Sequence, residues 1–186
     1  MDHWDDQLVI AAVLGGDVNA YGTLVKRYQK PIFNLMYRMT GSRADALDLS
    51  QETFIKAYDK LRLFKTDRKF FPWLYTIGLN HARNFIRHSK SNPVSFSENL
   101  EEDARFSMAH GTEDPLSAQI EAHYLEKALQ TLPTEYREAV LLHYHEEFSM
   151  EEIAEMLQLS VSGAKMRVHR GLGKLREMIL GKNDER

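Results

Sequence analysis

Between Ser89 and Ser117 the helical spacing of apolar residues that governs the rest of the chain stops. The stretch reads SKSNPVSFSENLEEDARFSMAHGTEDPLS, with serines, acids, two prolines and one glycine and no recurring apolar position. A segment of this kind buries too little apolar surface to offset the entropy of ordering it. It therefore divides the chain. The sequence predicts an all-α protein of two small helical domains, residues 1–92 and 117–186, joined by a flexible acidic linker over 93–116, with a helix-turn-helix in the C-terminal domain. In 186 residues each domain has room for one modest core.

The helix-turn-helix is read from SMEEIAEMLQLSVSGAKMRVHRGLGKLR, residues 149 to 176. Ser149 followed by Glu152 predicts a capping box, in which hydroxyl and carboxylate each satisfy an orphan backbone N–H at a helix start. Ile153, Ala154 and Leu157 give that helix one apolar face, and Gln158 to Ser160 break the register. Val161, Ala164, Val168, Leu172 and Leu175 then form one stripe at helical spacing, which has to be buried. Met166, Arg167, Arg170 and Lys174 point outward as a result, with Ser162, Lys165 and His169 on the flank. From Met156 through Arg176 there are five basic residues and no acid. That composition suits a helix entering a major groove lined by phosphates; the competing reading is a solvated helix in a bundle.

The formal net charge of −3 conceals a segregation. Residues 1–92 carry +5, residues 93–124 carry −6 and residues 125–186 carry −2. A polyanion responds to the field within about 10 Å at physiological salt, so the local balance matters more than the total. The chain has no cysteine, which removes disulfides, thiolate metal sites and thiol catalysis and permits a reducing cytoplasm. No apolar run reaches the length of about 20 residues that spans a bilayer, and MDHWDDQLV lacks the layout of a signal peptide, so a cytoplasmic protein without membrane insertion is expected.

In the first domain Tyr21, Leu24, Val25, Tyr28, Ile32, Leu35, Met36 and Met39 trace one helix face, with Gly41 as its stop and Pro31 expected to kink or divide it at Lys30. Gly15-Gly16-Asp17 reads as a turn between helices. Within DALDLSQETFIKAYDKL, residues 45 to 61, Leu47, Phe54, Tyr58 and Leu61 are expected on the buried side. Asp48, Gln51, Glu52 and Ile55 follow i, i+3, i+4, i+7 on another face, which is either a docking surface or a solvated one. From Lys60 to Lys90 eight cations face the single acid Asp67 and interleave with Phe64, Phe70, Phe71, Trp73, Tyr75 and Phe85. Rings among cations suit single-stranded nucleic acid, since stacking on an unpaired base contributes about 1–3 kcal/mol. On a helix starting near Pro72, Leu74, Ile77, Ala82 and Phe85 point inward and Asn80, Arg83, Asn84 and Arg87 outward. Trp73 and Phe85 are read as mainly structural, Phe64 and Phe71 as open between packing and base contact, and His81 as a packed histidine. His143 and His145 diverge on a helix, no H-E-x-x-H spacing is present, and no nucleophile sits beside a base, so neither catalysis, a metal nor a cofactor is expected.

In the second domain Ile120, Tyr124, Ala128, Leu129 and Leu132 resume the helical period. Pro133 opens the next helix, which Tyr136, Ala139, Val140, Leu142 and Tyr144 continue.

DLSQETFIKAYDKL, FKTDRKFFPWLYTIGLN and LPTEYREAVLLHYHEEFSMEEIAEMLQLS, in this order, resemble the extracytoplasmic-function (ECF) group of bacterial RNA polymerase sigma factors over nearly the whole chain except the linker. The resemblance implies that residues 1–92 are region 2, which grips the β′ clamp helices of core RNA polymerase and opens the -10 element. It implies that residues 117–186 are region 4, which reads the -35 element as duplex. The implied partners are core polymerase through its β′ and β subunits, promoter DNA as duplex and as single strand, and an anti-sigma protein. The family's D-L-x-Q-E motif falls on Asp48, Leu49, Gln51 and Glu52, beside Ile55, as the polymerase-docking set. The strand-opening loop matches Phe64 to Phe71, and W-L-Y-x-I-x-x-N matches Trp73, Leu74, Tyr75, Ile77 and Asn80, so that Asn80 and Phe64 would hold an extruded base. With the neighbouring cations the -10 set is Arg62, Phe64, Lys65, Arg68, Phe71, Asn80, Arg83, Asn84 and Arg87. The -35 set is Ser162, Lys165, Met166, Arg167, His169, Arg170 and Lys174. Where the family reads V-G-T-V-K-S-R this chain has Val161-Ser162-Gly163-Ala164-Lys165-Met166-Arg167, so two hydroxyls are replaced, and Met166 could pack against a thymine methyl instead. Two rivals remain from the residues: a stand-alone helix-turn-helix regulator with an N-terminal sensor domain, and an adaptor that only docks a protein and would have no use for the basic aromatic loop.

Overall fold

The computed structural model describes residues 3–91 and 124–180, and the expected linker lies outside them. The regular structure among the described residues is helical throughout, in two compact units. The first unit holds α1 (His3–Leu14), α2 (Tyr21–Thr40), α3 (Arg43–Asp59) and α4 (Phe70–Ser91), with 3-10 turns at Val18–Ala20 and Leu61–Leu63.

The long face of α2 is built as the spacing predicts, with Leu24, Tyr28, Ile32, Leu35, Met36 and Met39 buried. Gly41 ends the helix at φ 75°, returning its N–H to the Tyr37 carbonyl, a left-handed cap that glycine adopts without a Cβ penalty. Pro31 does not divide the helix, which runs unbroken to Thr40. An internal proline costs about 3 kcal/mol, but Tyr28 and Ile32 on either side of it are both buried, and that packing holds the helix together.

A buried carboxylate ties α1 to α2. Asp6 accepts hydrogen bonds from the Arg27 guanidinium and the Tyr28 hydroxyl, and burial, reinforced by the bond to Asp6, holds the Tyr28 phenol well above its ordinary range. The buried strip of α3 is made largely of small residues, Ala46, Ser50, Thr53 and Ala57. Ser50 and Thr53 return their hydroxyls to the carbonyls of Ala46 and Leu49, so neither polar group is left unpaired. Leu47 and Tyr58, expected inside, are 46% and 38% exposed. They flank this strip, and Tyr58 lies edge-on against Tyr21, 5.0 Å between centroids. The close approach extends to α4, where a Cβ on Gly78 would sit 2.8 Å from the Met36 side chain.

The second unit holds a helix over 124–131 (α5), followed by α6 (Thr134–Tyr144), α7 (Met150–Leu157) and α8 (Val161–Leu180). Leu132, Val140 and Leu175 form its core, with Ala128, Leu129, Leu172 and Met178 packed around them. Pro133 caps α6, as its position after Leu132 suggests. Gly171 lets α8 cross α6 closely, since a Cβ there would meet Val140 Cγ2 at 2.6 Å. Arg137 is buried, and its guanidinium donates to the Leu132 carbonyl at 3.1 Å, to the Gln130 side chain and to the Gln130 carbonyl. It thereby caps the end of α5, at the cost of a pKa lowered by burial.

Candidate nucleic-acid interface and docking face

Helix α7 is capped at both ends and α8 at its start. Ser149 N–H donates to Glu152 Oε2 at 3.0 Å and Glu152 N–H to Ser149 Oγ at 3.2 Å, the reciprocal box predicted from the sequence. Helix α7 stops where Gln158 takes φ 55° and Leu159 N–H reaches the Ala154 carbonyl at 2.8 Å, a Schellman closure with glutamine in the position that usually holds glycine. Ser160 starts α8 by accepting from Gly163 N–H at 3.1 Å. The buried stripe of α8 carries Ala164, Val168 and Leu175, with Val161 and Leu172 partly covered.

That anchoring turns Ser162, Lys165, Met166, His169, Arg170 and Lys174 to solvent. Met166 is 52% exposed, an apolar side chain among polar and basic ones. Ser162 Oγ lies 3.0 Å from Ser160 Oγ. Lys174 lies 5.9 Å above the Tyr136 ring. Arg167 differs from the rest: its guanidinium reaches 3.5 Å from the Glu138 carboxylate on α6, whose side chain is 3% exposed, while Arg167 itself keeps 29%. Sequence spacing placed Arg167 with the outward cations; the buried acid draws it back toward the fold.

In the first unit the cations Arg62, Lys65 and Arg68 are exposed ahead of α4, and Asn80, Asn84 and Arg87 are exposed along it with Arg83 partly covered. Arg83 donates to Asn80 Oδ1 at 2.9 Å, which fixes the end of the amide that carries its donors. Of the two placements open to Phe64 and Phe71, packing is the one the structure shows. Phe64 is 7% exposed and packs against Phe70 and Trp73, with centroids 5.6 and 5.2 Å away. Phe71 is partly covered, stacked 5.2 Å from Tyr28 at 16°. Helix α4 begins at Phe70, two residues before Pro72, so Phe71 belongs to its first turn, and Phe64, ahead of the helix, packs onto the rings of that turn. Leu63, which the sequence reading passed over, is 76% exposed, in the 3-10 turn between Arg62 and the basic loop.

On α3, Asp48, Gln51, Glu52 and Ile55 are all exposed, and Ile55 is 61% so. Leu49, counted with them, is 4% exposed; it supports the helix from within and cannot be a surface contact. His81 is more than a packed histidine, because it bridges α4 to Lys56 and Glu52 on α3. Among the described residues no group of three or more metal-ligating side chains converges, and no helix is long and apolar enough to cross a membrane. His143 Nδ1 lies 3.4 Å from the Phe148 carbonyl.

Comparison with known proteins assigns both units. Residues 24–92 match the Sigma-70 region 2 family and residues 122–175 match Sigma-70, region 4. The chain is 34% identical over 177 residues to the ECF RNA polymerase sigma factor SigW of Bacillus subtilis (strain 168), covering 91% of this chain and 94% of that one. It is 31% identical over 171 residues to the ECF RNA polymerase sigma-E factor of Escherichia coli (strain K12), covering 89% of each. Among solved structures, CnrH in complex with the cytosolic domain of CnrY superposes with TM-score 0.70 at 26% identity over 95% of this chain and 98% of that one. The sigma factor RpoE with the anti-sigma factor NepR from Bartonella quintana shares the fold, with TM-score 0.64 at 23% identity over 86% and 96%. The chain therefore belongs to the ECF group of RNA polymerase sigma factors, which direct RNA polymerase to promoters at transcription initiation and catalyse nothing themselves.

Proposed function

We propose that residues 1–92 and 117–186 divide the work of promoter recognition, the first docking on core polymerase and capturing the unpaired -10 strand, the second reading the -35 element as duplex. The observation that carries the docking assignment is the outward face of α3, where Ile55 stands in water among Asp48, Gln51 and Glu52. An exposed isoleucine ringed by acceptors suits a partner that offers apolar and basic groups, as the β′ clamp helices would. The strand-capture role rests on the exposed cations Arg62, Lys65, Arg68 and Arg87, with Arg83 and the amides of Asn80 and Asn84 on the same helix face as Arg87. Phe64 and Phe71 contribute by shaping this surface from beneath. Open DNA is favoured because one unit binds separated strand while the other holds the duplex, so binding differs between the two states. On α8, Ser162, Lys165, Met166, His169, Arg170 and Lys174 meet the groove, the cations on phosphates and Met166 on base edges.

An anti-sigma protein is the third partner in this reading, as for the RpoE relative solved with one, and the β subunit of polymerase the fourth. The setting is the cytoplasm. The test is run-off transcription with core polymerase at limiting concentration of the chain: Asp48→Ala combined with Gln51→Ala lowers initiation about tenfold and leaves the melting temperature unchanged. Full activity of the double variant refutes the docking assignment.

A further inference from the structure

Helices α3 and α4 are joined beside the docking face by three polar side chains, each in contact with the other two, with Lys56 Nζ nearer to His81 Nδ1 than to His81 Nε2, which is 3.3 Å away. Lys56 Nζ lies 2.7 Å from His81 Nδ1, and His81 Nε2 lies 2.9 Å from Glu52 Oε2. Lys56 Nζ and Glu52 Oε2 are 3.7 Å apart across one turn of α3. An ammonium only donates hydrogen bonds and an ionised carboxylate only accepts them. The imidazole that serves both is therefore neutral, accepting at Nδ1 and donating from Nε2. Burial is the main influence on this ring and favours its neutral form, with Lys56 acting in the same sense and Glu52 against it. The His81 side chain is 12% exposed and that of Glu52 56%, so the histidine is the anchored member of the group and the carboxylate the one presented to a partner.

We propose that His81 is a positioning residue for polymerase docking, holding the Glu52 carboxylate in one orientation on the exposed face of α3 before the partner arrives. This rests on the reading of that face as the docking surface. An unrestrained glutamate on a helix surface samples several rotamers, and freezing one on binding weakens affinity. Pre-positioning avoids that loss, which for one long side chain corresponds to about two- to tenfold in Kd.

The test is the Kd of the full chain for purified core RNA polymerase, measured by fluorescence anisotropy. His81→Leu retains the volume and removes both hydrogen bonds, and it is expected to weaken docking about two- to tenfold. His81→Gln, with one acceptor and one donor on a neutral amide, should restore most of the affinity. In a Glu52→Gln background the loss from His81→Leu should shrink toward nothing, because the group it positions is altered. A merely structural histidine would instead give the same loss in both backgrounds and no rescue by glutamine, which overturns the proposal, as does unaltered docking by His81→Leu. If Glu52→Gln alone docks like the parent chain, the docking face itself is wrongly assigned and the proposal falls with it. If Glu52→Gln docks weakly while His81→Leu docks normally, only the role of His81 is refuted.

Discussion

Arg167 and Arg170 are both cations on α8, yet the fold treats them differently, and replacing each by alanine should separate the one that holds the fold from the one proposed to meet DNA. Arg167 faces Glu138, whose carboxylate side chain is 3% exposed, at 3.5 Å. Removing one partner of a fully buried pair costs about 3–5 kcal/mol, because the other charge remains buried. Two features reduce the figure here. Arg167 keeps 29% of its side-chain exposure, and 3.5 Å is longer than the roughly 2.7–2.9 Å of a tight charge-assisted hydrogen bond. The expected cost of Arg167→Ala is therefore about 1–3 kcal/mol, and in a unit of this size each kcal/mol lowers the melting temperature by about 4–8 °C. Arg170 is exposed, so Arg170→Ala should stay within about 0.5 kcal/mol of the parent chain. Thermal melts of the intact chain, followed by circular dichroism for both variants and for Arg167→Ala with Glu138→Gln, provide the assay. Removing the charge of the buried acid should recover part of the lost stability. Coincident melts for the two single variants, or no recovery in the double one, would show that the pair does not hold Arg167 to the fold.

Three further outcomes are expected. Gly171→Ala should destabilise, because its Cβ would stand 2.6 Å from Val140 Cγ2 and 3.3 Å from the Tyr136 carbonyl oxygen; overpacking of about 1–3 kcal/mol outweighs a helix-propensity gain of about 1 kcal/mol, and Val140→Ala in the same chain should raise the urea midpoint again. The His81 imidazole is held below its ordinary value of 6.5 by burial and by Lys56, so the unfolded chain takes up that proton first. Its contribution to stability is thus complete above about pH 6.5 and declines as the pH falls below it; between about pH 7.5 and pH 5 the parent chain should lose more melting temperature than His81→Gln, and parallel losses would contradict this. Lys174→Ala and Arg170→Ala should each reduce by about one unit the slope of log binding constant against log salt for holoenzyme on duplex -35 DNA, if both meet phosphates.

How much of this was legible in the sequence depended on whether the signal was local. The capping box of Ser149 and Glu152, the stop at Gly41 and the buried stripe of α8 are set by neighbours within a turn or two, and the coordinates reproduce them. The errors arose where side-chain size was taken as the mark of the core. On α3 the buried strip is largely Ala46, Ser50, Thr53 and Ala57, with Phe54 inside as expected, while Leu47 and Tyr58 are displaced to its flank and Leu49 is drawn inside. Sequence alone does not decide between packing and base contact for Phe64 and Phe71, because aromatic rings serve both; their partners Trp73, Phe70 and Tyr28 settle on them only in three dimensions. Continuity of α2 through Pro31 is likewise a tertiary outcome, since local propensity alone favours a break. The Glu138–Arg167 and Glu52–His81–Lys56 groupings join different helices, and no single-helix spacing reveals them. A weak trace existed for the first: Glu138 directly precedes the apolar run from Ala139 to Leu142, and an acid drawn inside with that run needs a cation.

In the proposed function one unit holds duplex while the other captures a separated strand, and only when polymerase is docked. Fluorescence of 2-aminopurine placed in the -10 element of a cognate promoter tests this directly. A rise is expected when core polymerase and the chain are added together, none with either alone, and a much smaller one with the Asp48→Ala, Gln51→Ala double variant. Strand opening, or tight sequence-selective duplex binding, by the chain without polymerase would contradict it.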